Sequence, residues 1–177
     1  MAKESLVRVP VLGFLMKNTG MVPVYRSATS AAAKKTLEAA QAIAKHERGV
    51  IVYPEGTLTR DPDLWPMRGK TGAVRLALEA GVPLIHAVQW GVQENMPRYG
   101  KLRLFKWRRL VTYSFGDPID LSAYVGHERE ASKLNEATEI VMDRLAEMLG
   151  EVRGEQPPAK RWNPAEHRQS ETGRYED

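Results

Sequence analysis

The sequence predicts an α/β fold in which helices flank a mostly parallel sheet. Short apolar runs at residues 21–25, 49–53 and 82–88 alternate with stretches whose apolar residues recur at helical spacing. This alternation is typical of layered α/β domains. The run at 49–53 is apolar at nearly every position, which indicates a strand buried on both faces, as in parallel sheets.

The spacing of apolar residues, and the residue types that begin and end helices, predict each element in turn. Helices are expected at residues 10–18, 29–46, 71–80 and 131–149, and the last carries Leu134, Ala137, Val141, Leu145 and Met148 on one face. Residues 57–68, with two prolines, are expected to form a loop, and two further strands are expected at 101–105 and 110–115.

The last part of the chain differs in composition. Residues 151–177 hold three prolines, eleven acidic or basic residues and few apolar ones. Such a composition cannot bury enough apolar surface to fold alone. We therefore expect one domain over residues 1–150 and a disordered tail over 151–177.

Composition narrows the classes of function. The 177 residues include no cysteine, which excludes disulfides, thiol catalysis and cysteine-bound zinc, and no metal site is expected. The net charge of +4 favours anionic partners: phosphates, acidic lipid surfaces or nucleic acid. No apolar run is long enough to span a membrane, so we expect any membrane contact of this chain to be peripheral.

The stretch VYPEGTLTR, residues 52–60, is the first candidate site. It follows an apolar strand, and ligands of α/β sheets bind beyond the carboxyl ends of the strands. Gly56 permits close approach to the backbone, Glu55 accepts hydrogen bonds from a hydroxyl, Thr57 adds a hydroxyl and Arg60 suits a phosphate. The alternative is an ordinary turn, because these residue types are common in turns.

Three other stretches are weaker candidates. Arg26 lies between a strand and a helix N-terminus, where a phosphate is favoured, although a lone arginine is usually solvated. His86 lies inside an apolar strand and is more often structural than catalytic in such a place. RGKTG, residues 68–72, ends like a nucleotide-binding P-loop, but residue 64 is leucine where that motif needs glycine. Lys70 could still contact an anion, although a solvated lysine is the simpler interpretation.

A basic ribbon covers residues 101–110 and interleaves cations with apolar and aromatic side chains. It fits an anionic bilayer surface, or equally an edge strand protected by its charge. Nucleic acid is a third possibility, which we do not expect because no nucleic-acid-binding fold accompanies the ribbon. The candidate contact residues are Lys101, Arg103, Lys106, Trp107, Arg108 and Arg109.

Three blocks together resemble the glycerolipid acyltransferase family, of the lysophosphatidic acid acyltransferase type. They are GMVPVYR at residues 20–26, YPEGT at 53–57 and VPLI at 82–85. The resemblance implies transfer of an acyl chain from acyl-CoA or acyl carrier protein, as co-substrate, to the free hydroxyl of 1-acylglycerol-3-phosphate. It implies no bound cofactor and a peripheral place on the cytoplasmic face of the cell membrane. It also implies that the candidate residues of the first two blocks, with Arg60, hold the glycerol phosphate, and that the basic ribbon contacts membrane or coenzyme A.

The sequence departs from the family pattern at the catalytic base. The family uses a histidine with an aspartate five residues later, but residues 51, 91, 132 and 172, which follow the four histidines, are Ile, Gly, Ser and Thr. We therefore expect the chain as given to lack its catalytic residues and to be inactive. It is either a member lacking its N-terminal part or a non-catalytic lipid- or coenzyme A-binding remnant.

Overall fold

The computed structural model describes residues 2–3, 23–24, 38, 42, 45, 49–98 and 110–170. Within these residues the chain is a mixture of helices and strands, which agrees with the α/β class. The elements in chain order are β1 Ala2–Lys3, β2 Pro23–Val24, α1 Gly72–Ala80, β3 Ile85–Trp90, α2 Val92–Asn95, β4 Thr112–Pro118, a 3-10 turn Ser122–Tyr124, α3 Ala131–Arg153 and a 3-10 turn Pro164–His167.

Helix α1 forms where its spacing predicted. Its residues, GAVRLALEA, are mostly strong helix formers, and an ion pair of 2.8 Å joins Arg75 and Glu79 one turn apart. Gly81, with φ of 63°, ends the helix. The amides of Gly81 and Val82 donate to the carbonyls of Leu78 and Ala77, which is a Schellman motif.

Helix α3 supplies the largest part of the core. It runs four residues beyond the predicted end, to Arg153, and Gly154 terminates it in the left-handed conformation. Its apolar stripe packs against α1 and the turn that follows β4. The buried members of this core are Val74, Ala77, Leu121, Tyr124, Leu134, Ala137 and Val141.

The prediction of a mostly parallel sheet is not met in the described part of the chain. Strands β3 and β4 pair antiparallel, with Val88 opposite Ser114 and Gln89 opposite Tyr113, while β1 and β2 share a parallel bridge of two residues. Parallel neighbours need a long crossover, usually a helix, and no crossover helix was predicted between β3 and β4. An apolar run indicates a strand but does not specify its partner or direction, so this pairing did not follow from the sequence.

The side chain of His86 is half-buried. Its ring lies close to Gly116 of β4, and the methyl group of Met148 on α3 lies close to the same glycine. Its Nδ1 is buried and has no hydrogen-bond partner among the described residues. The geometry therefore favours a structural role for His86 over a catalytic one.

The apolar run at residues 49–53 does not form the doubly buried strand that was predicted. No strand is assigned there; Val50 and Val52 pack towards Leu76, whereas Ile51 is 78% exposed and Tyr53 is 64% exposed. The described residues cover only one side of this run. The outward-facing residues Ile85 and Phe115 of β3 and β4 are also mostly exposed.

The prediction of a disordered tail from residue 151 is wrong for residues 151–170. The last turn of α3, the 3-10 turn Pro164–His167 and a buried Pro164 lie within this range. Composition missed the order because hydrogen bonds and ion pairs with α3 and with the loop before α1 hold these residues, and such contacts exist only in the folded chain. The division of the chain at residue 150 stays a prediction.

Several predicted elements lie outside the described residues. These are the helix at 10–18, most of the helix at 29–46, the strand at 101–105 and the end of the tail at 171–177. Within the second of these, Glu38, Ala42 and Lys45 are helical and exposed. The described helices are too short or too polar for any of them to cross a bilayer.

Candidate functional site

The predicted site begins with a tight turn at residues 53–56. The amide of Gly56 donates to the carbonyl of Tyr53 at 3.0 Å, and Gly56 has φ of 69°. The amide of Lys70 donates to the carbonyl of Pro54 at 2.8 Å. The turn is therefore fixed to the residues that lead into α1.

Glu55 projects from this turn into a partly buried position. The amide of Met67 donates to its Oε2 at 3.4 Å. Burial raises the pKa of Glu55 to about 7; the Met67 hydrogen bond opposes this rise, and the charge of Asp61 adds to it. Near neutral pH the carboxyl group therefore exists both as an acid that donates a hydrogen bond and as a carboxylate that accepts one.

A pocket of about 310 Å³ opens beside Glu55. It brings together parts of the chain that are far apart in the sequence: the turn, the residues before α1, helix α3 and the C-terminal segment, residues 154–170. The lining residues are Glu55, Met67, Arg68, Gly69, Lys70, Thr71, Asn135 and Pro164. One acid and two cations thus share a single small cavity.

Gly69 explains how the two cations reach this place. A Cβ on Gly69 would lie 2.7 Å from both Cγ and Sδ of Met142 and 3.0 Å from the Thr138 methyl group. Only glycine allows the backbone to pass this close to α3 without displacing a buried side chain. Arg68 and Lys70, on either side of it, are held at the pocket as a result.

The start of α1 adds to the positive character of the pocket. Thr71 occupies the N-cap position, and its side chain makes no capping hydrogen bond. The first amides of a helix lack internal acceptors and favour an anion nearby. Together with Arg68 and Lys70, this end of α1 makes the pocket suitable for a phosphate group.

The loop at residues 57–68, whose last two residues line the pocket, is held in shape by hydrogen bonds. Oδ1 of Asp61 accepts from the amides of Asp63 at 2.8 Å and Trp65 at 3.3 Å. Arg98 donates to the carbonyls of Thr59 at 2.6 Å and Asp61 at 2.8 Å. The prediction of a loop here is confirmed, and several hydrogen bonds hold the loop in one conformation.

The end of α3 also fastens this loop. The guanidinium of Arg153 lies 4.2 Å from the ring centre of Trp65 and 4.5 Å from that of Trp90. It also donates to the carbonyl of Asp63 at 2.8 Å. Cation–π contacts of this kind strengthen as the partners leave water, and Trp65 is only 6% exposed.

The predicted site residues divide into three groups. Glu55 lines the pocket, and Gly56 lies against the stem of Lys70, 3.6 Å from its Cδ as measured from an ideal Cβ. Thr57 is half-buried and Arg60 is 4% exposed within the loop, and neither belongs to the pocket lining. Arg26 and the basic ribbon at 101–109 lie outside the described residues, and their roles stay predictions.

Sequence reasoning missed several lining residues. Arg68 was noticed only as part of an unsuccessful P-loop match, and contact of Lys70 with an anion was the less favoured interpretation, although two cations directly before a helix are a usable signal for an anion site. Asn135 and Pro164 carry no such signal, because they reach the pocket through tertiary packing of α3 and the C-terminal segment. Among the described residues, no group of three or more acidic or histidine side chains is placed to hold a metal ion.

Comparisons with known proteins agree with the resemblance. A family model described as Acyltransferase matches residues 1–89. Proteins named 1-acyl-sn-glycerol-3-phosphate acyltransferase from Haemophilus influenzae and Escherichia coli are 32% and 30% identical to the chain. These alignments cover 69% and 85% of the chain, but 48% and 58% of the relatives, so the chain spans about half the length of these curated relatives. No solved structure matches.

Proposed function

Because the chain belongs to the acyltransferase family, we propose that it forms the acceptor-binding part of a 1-acylglycerol-3-phosphate acyltransferase. The complete reaction would move an acyl chain from acyl-CoA or acyl carrier protein to the free hydroxyl of 1-acylglycerol-3-phosphate. The names of the two bacterial relatives support this acceptor. The chain covers 48% and 58% of the length of these relatives.

The proposal rests mainly on one observation: Glu55, Arg68 and Lys70 line the same pocket at the start of α1. A glycerol phosphate has a dianion at one end and a hydroxyl at the other. The cations and the helix amides suit the phosphate, while Glu55 suits a hydroxyl. Glu55 therefore positions the acceptor through a hydrogen bond, and both of its protonation states can form that bond.

Acyl transfer also needs a base. The hydroxyl oxygen must form an ester bond to the thioester carbonyl carbon while the carbon–sulfur bond breaks, and the hydroxyl proton must leave. In the family pattern a His-x-x-x-x-Asp block removes that proton, and no such block occurs in these 177 residues. His86 is a poor substitute because its ring lies half-buried against Gly116 and its Nδ1 is buried.

The proposed membrane contact rests on the basic ribbon at residues 101–109. Its five cations and its tryptophan fit an anionic lipid surface, where an acceptor with an acyl chain would reside. We propose peripheral association with the cytoplasmic face of the cell membrane. The acyl chain of the acceptor would then stay near the lipid, and only the polar head group would enter the pocket.

The first experiment measures binding of sn-glycerol 3-phosphate to the 177-residue chain by titration calorimetry. A hydrogen bond between charged groups contributes about 1.5–3 kcal/mol, so Lys70→Met is expected to weaken binding by at least about tenfold. Lys133→Met is the matched control, because Lys133 pairs with Glu136 on α3 and does not line the pocket. Equal affinity of the Lys70 variant and the wild type would contradict the assignment of the phosphate site.

The second experiment separates a part of an enzyme from a non-catalytic lipid- or coenzyme A-binding remnant. Thiol release from acyl-CoA with lysophosphatidate is expected to be absent for the chain alone. Turnover by the chain alone would show that a base other than the His–Asp pair operates. Binding of the acceptor without turnover fits both candidates, and recovery of turnover when a relative's His–Asp-bearing N-terminal part is fused to the chain would favour the enzyme.

A further inference from the structure

Arg153, the last residue of α3, is a largely buried cation that the proposed function does not use. Only 8% of its side chain is exposed, and its Nε is buried without a hydrogen-bond partner among the described residues. Burial of a charge costs free energy unless the surroundings compensate for it. The residue also lies outside residues 1–89, the range that the family model matches.

The compensating contacts lead to the loop at 57–68 and to the end of β3. The guanidinium lies over the ring of Trp65 and near the ring of Trp90, the last residue of β3, and it donates to the carbonyl of Asp63. Glu155, just beyond α3, also pairs with it. A planar guanidinium suits this position because it stacks on aromatic rings and still donates hydrogen bonds in its own plane. Arg153 thus ties the loop to α3 and β3.

The two loop residues that Arg153 contacts are both hydrogen-bonded to Asp61. Their amides donate to its Oδ1, and Asp61 is 6% exposed. Burial is the largest cause of the raised pKa of Glu55, and the charge of Asp61 adds to it. A movement of the loop would therefore reach Glu55 through Asp61.

A second connection between the loop and Glu55 runs through Met67. Met67 follows Trp65 by two residues, is 3% exposed and lines the pocket. Its amide donates to the Glu55 carboxyl group, and its sulfur accepts from the amide of Arg60. Met67 therefore belongs both to the loop that Arg153 holds and to the surroundings of Glu55.

We propose that Arg153 is a positioning residue for the candidate site, which holds the loop at 57–68 against Glu55 from the end of α3. Without it the loop is expected to loosen, water to reach the carboxyl group, and the hydrogen bond from Met67 to weaken. The acceptor hydroxyl would then meet a carboxyl group without a fixed position. The effect on the acceptor rests on the function proposed above, whereas the effect on Glu55 does not.

The first measurement follows Glu55 directly. The full chain, with isotope-labelled glutamate carboxyl groups, is titrated by NMR, and Glu55→Gln identifies the Glu55 signal. Wild type is expected to titrate at a pKa of about 7, and Arg153→Met is expected to move this pKa towards 4.5, because the loosened loop reduces burial. The two cations that line the pocket, Arg68 and Lys70, have their own backbone hydrogen bonds and are expected to stay. Helix α3 and the C-terminal segment contribute uncharged side chains to the lining.

The second measurement is the affinity for sn-glycerol 3-phosphate, by titration calorimetry on the same variants. Arg153→Met is expected to weaken binding by about tenfold, as the loss of one hydrogen bond to a charged group would. Arg153→Lys keeps the charge and a donor for the Asp63 carbonyl, but it lacks the planar group that stacks on the rings. It is expected to fold even if Arg153→Met does not, and to give a smaller change in both measurements.

Two controls separate positioning from overall stability. Arg144→Met removes another cation of α3, which pairs with Glu147 and does not line the pocket. Leu121→Ala weakens the core, of which Leu121 is a buried member. In the folded state both are expected to keep the wild-type pKa of Glu55 and the wild-type affinity. An equal change in Leu121→Ala would show that Arg153 acts through stability alone, and it would overturn the proposal.

The outcomes also separate this proposal from the proposed function. If the folded Arg153 variants keep the wild-type pKa of Glu55 and the wild-type affinity, the positioning role is overturned and the proposed function stands. If wild type does not bind the probe, the proposed function falls, and the pKa of Glu55 decides the role of Arg153. A pKa near 4.5 in wild type also overturns the positioning role, because Glu55 would then have no buried position that depends on the loop. A fall of this pKa in the Arg153 variants, but not in the controls, supports the proposal.

Discussion

In two adjacent regions of the chain, burial is the reverse of what the composition suggests. Residues 49–53 are almost wholly apolar, yet Ile51 and Tyr53 are mostly exposed. The loop at 57–68 is rich in polar residues and prolines, yet Arg60, Asp61, Trp65 and Met67 are all less than 7% exposed. Burial here depends on the partners that surround each region, which the composition of the region does not reveal.

The difference has a physical origin in hydrogen bonding and packing. The loop satisfies its own polar groups through Asp61 and Thr59, and Arg98 and Arg153 bind its carbonyl groups from outside. A loop that is satisfied in this way can be buried without a large free-energy cost. The apolar run needs apolar surface on both sides, and the described residues supply it on one.

The largest expected effect tests the buried loop. Trp65→Ala removes a buried ring that packs beneath Arg153, and losses of this kind cost about 3–5 kcal/mol of the free energy of unfolding. Tyr53→Ala, which removes a mostly exposed ring, is the matched control and is expected to cost less than about 1 kcal/mol. Urea denaturation of both variants measures the difference. Equal costs would show that the contrast between the two regions does not hold in solution.

The next effect concerns the hydrogen bonds within the loop. Asp61→Ala leaves the amides of Asp63 and Trp65 without their acceptor, and the expected cost is about 3 kcal/mol because each buried unsatisfied group costs about 1–3 kcal/mol. Asp61→Asn keeps an acceptor oxygen and is expected to recover most of this loss. If the two variants have the same denaturation midpoint, the hydrogen bonds are not the source of the stability.

A smaller effect depends on pH and concerns Glu55 at the edge of the loop. Its folded-state pKa of about 7 exceeds the ordinary value of 4.5. The folded chain therefore keeps a proton that the unfolded chain loses as pH rises from 4.5 to 7, so the free energy of unfolding falls across this window. Glu55→Gln cannot titrate, and it is expected to be more stable than wild type at pH 8 by about 2 kcal/mol.

Denaturation at pH 5, 6, 7 and 8 checks this prediction. Glu147→Gln, at an exposed position on α3 paired with Arg144, is expected to keep the wild-type slope. A wild-type slope that equals the slope of Glu55→Gln would show that Glu55 has an ordinary pKa.

The smallest expected effect is on the apolar run. Ile51→Ser is expected to change the free energy of unfolding by no more than about 0.5 kcal/mol, as is usual for exposed positions. Light scattering is expected to show less self-association, because exposed apolar patches favour it. A loss of more than about 2 kcal/mol would mean that Ile51 is covered in solution.

The parts of the fold that sequence could predict are those set by local rules. Helix α1 followed from apolar spacing and its glycine end, and the loop followed from its prolines. Helix α3 followed from apolar spacing, but its end at Gly154 did not. Strand pairing did not, because an apolar run indicates a strand but does not specify its neighbour. The order of residues 151–170 was missed because it depends on contacts such as those of Arg161 with α3.

The candidate site was predicted only in part, because local patterns reveal some of its residues and tertiary contacts bring in the others. Glu55 could be found because an acid and a glycine after an apolar run form a recognisable local pattern. Pro164 lies over a hundred residues from Glu55, and only the folded chain shows that both line one pocket. Arg60 was chosen for its sequence neighbours, and its burial in the loop could not be read from them.

The contact of Arg153 with Trp65 and Trp90 gives the protein an internal optical reporter. These are two of its four tryptophans, and both place an indole ring within 4.5 Å of one guanidinium charge. Indole emission responds to a nearby charge and to exposure to water. Trp65 belongs to the loop that borders the Glu55 pocket, so a ligand that shifts this loop will change the tryptophan emission spectrum without any added label.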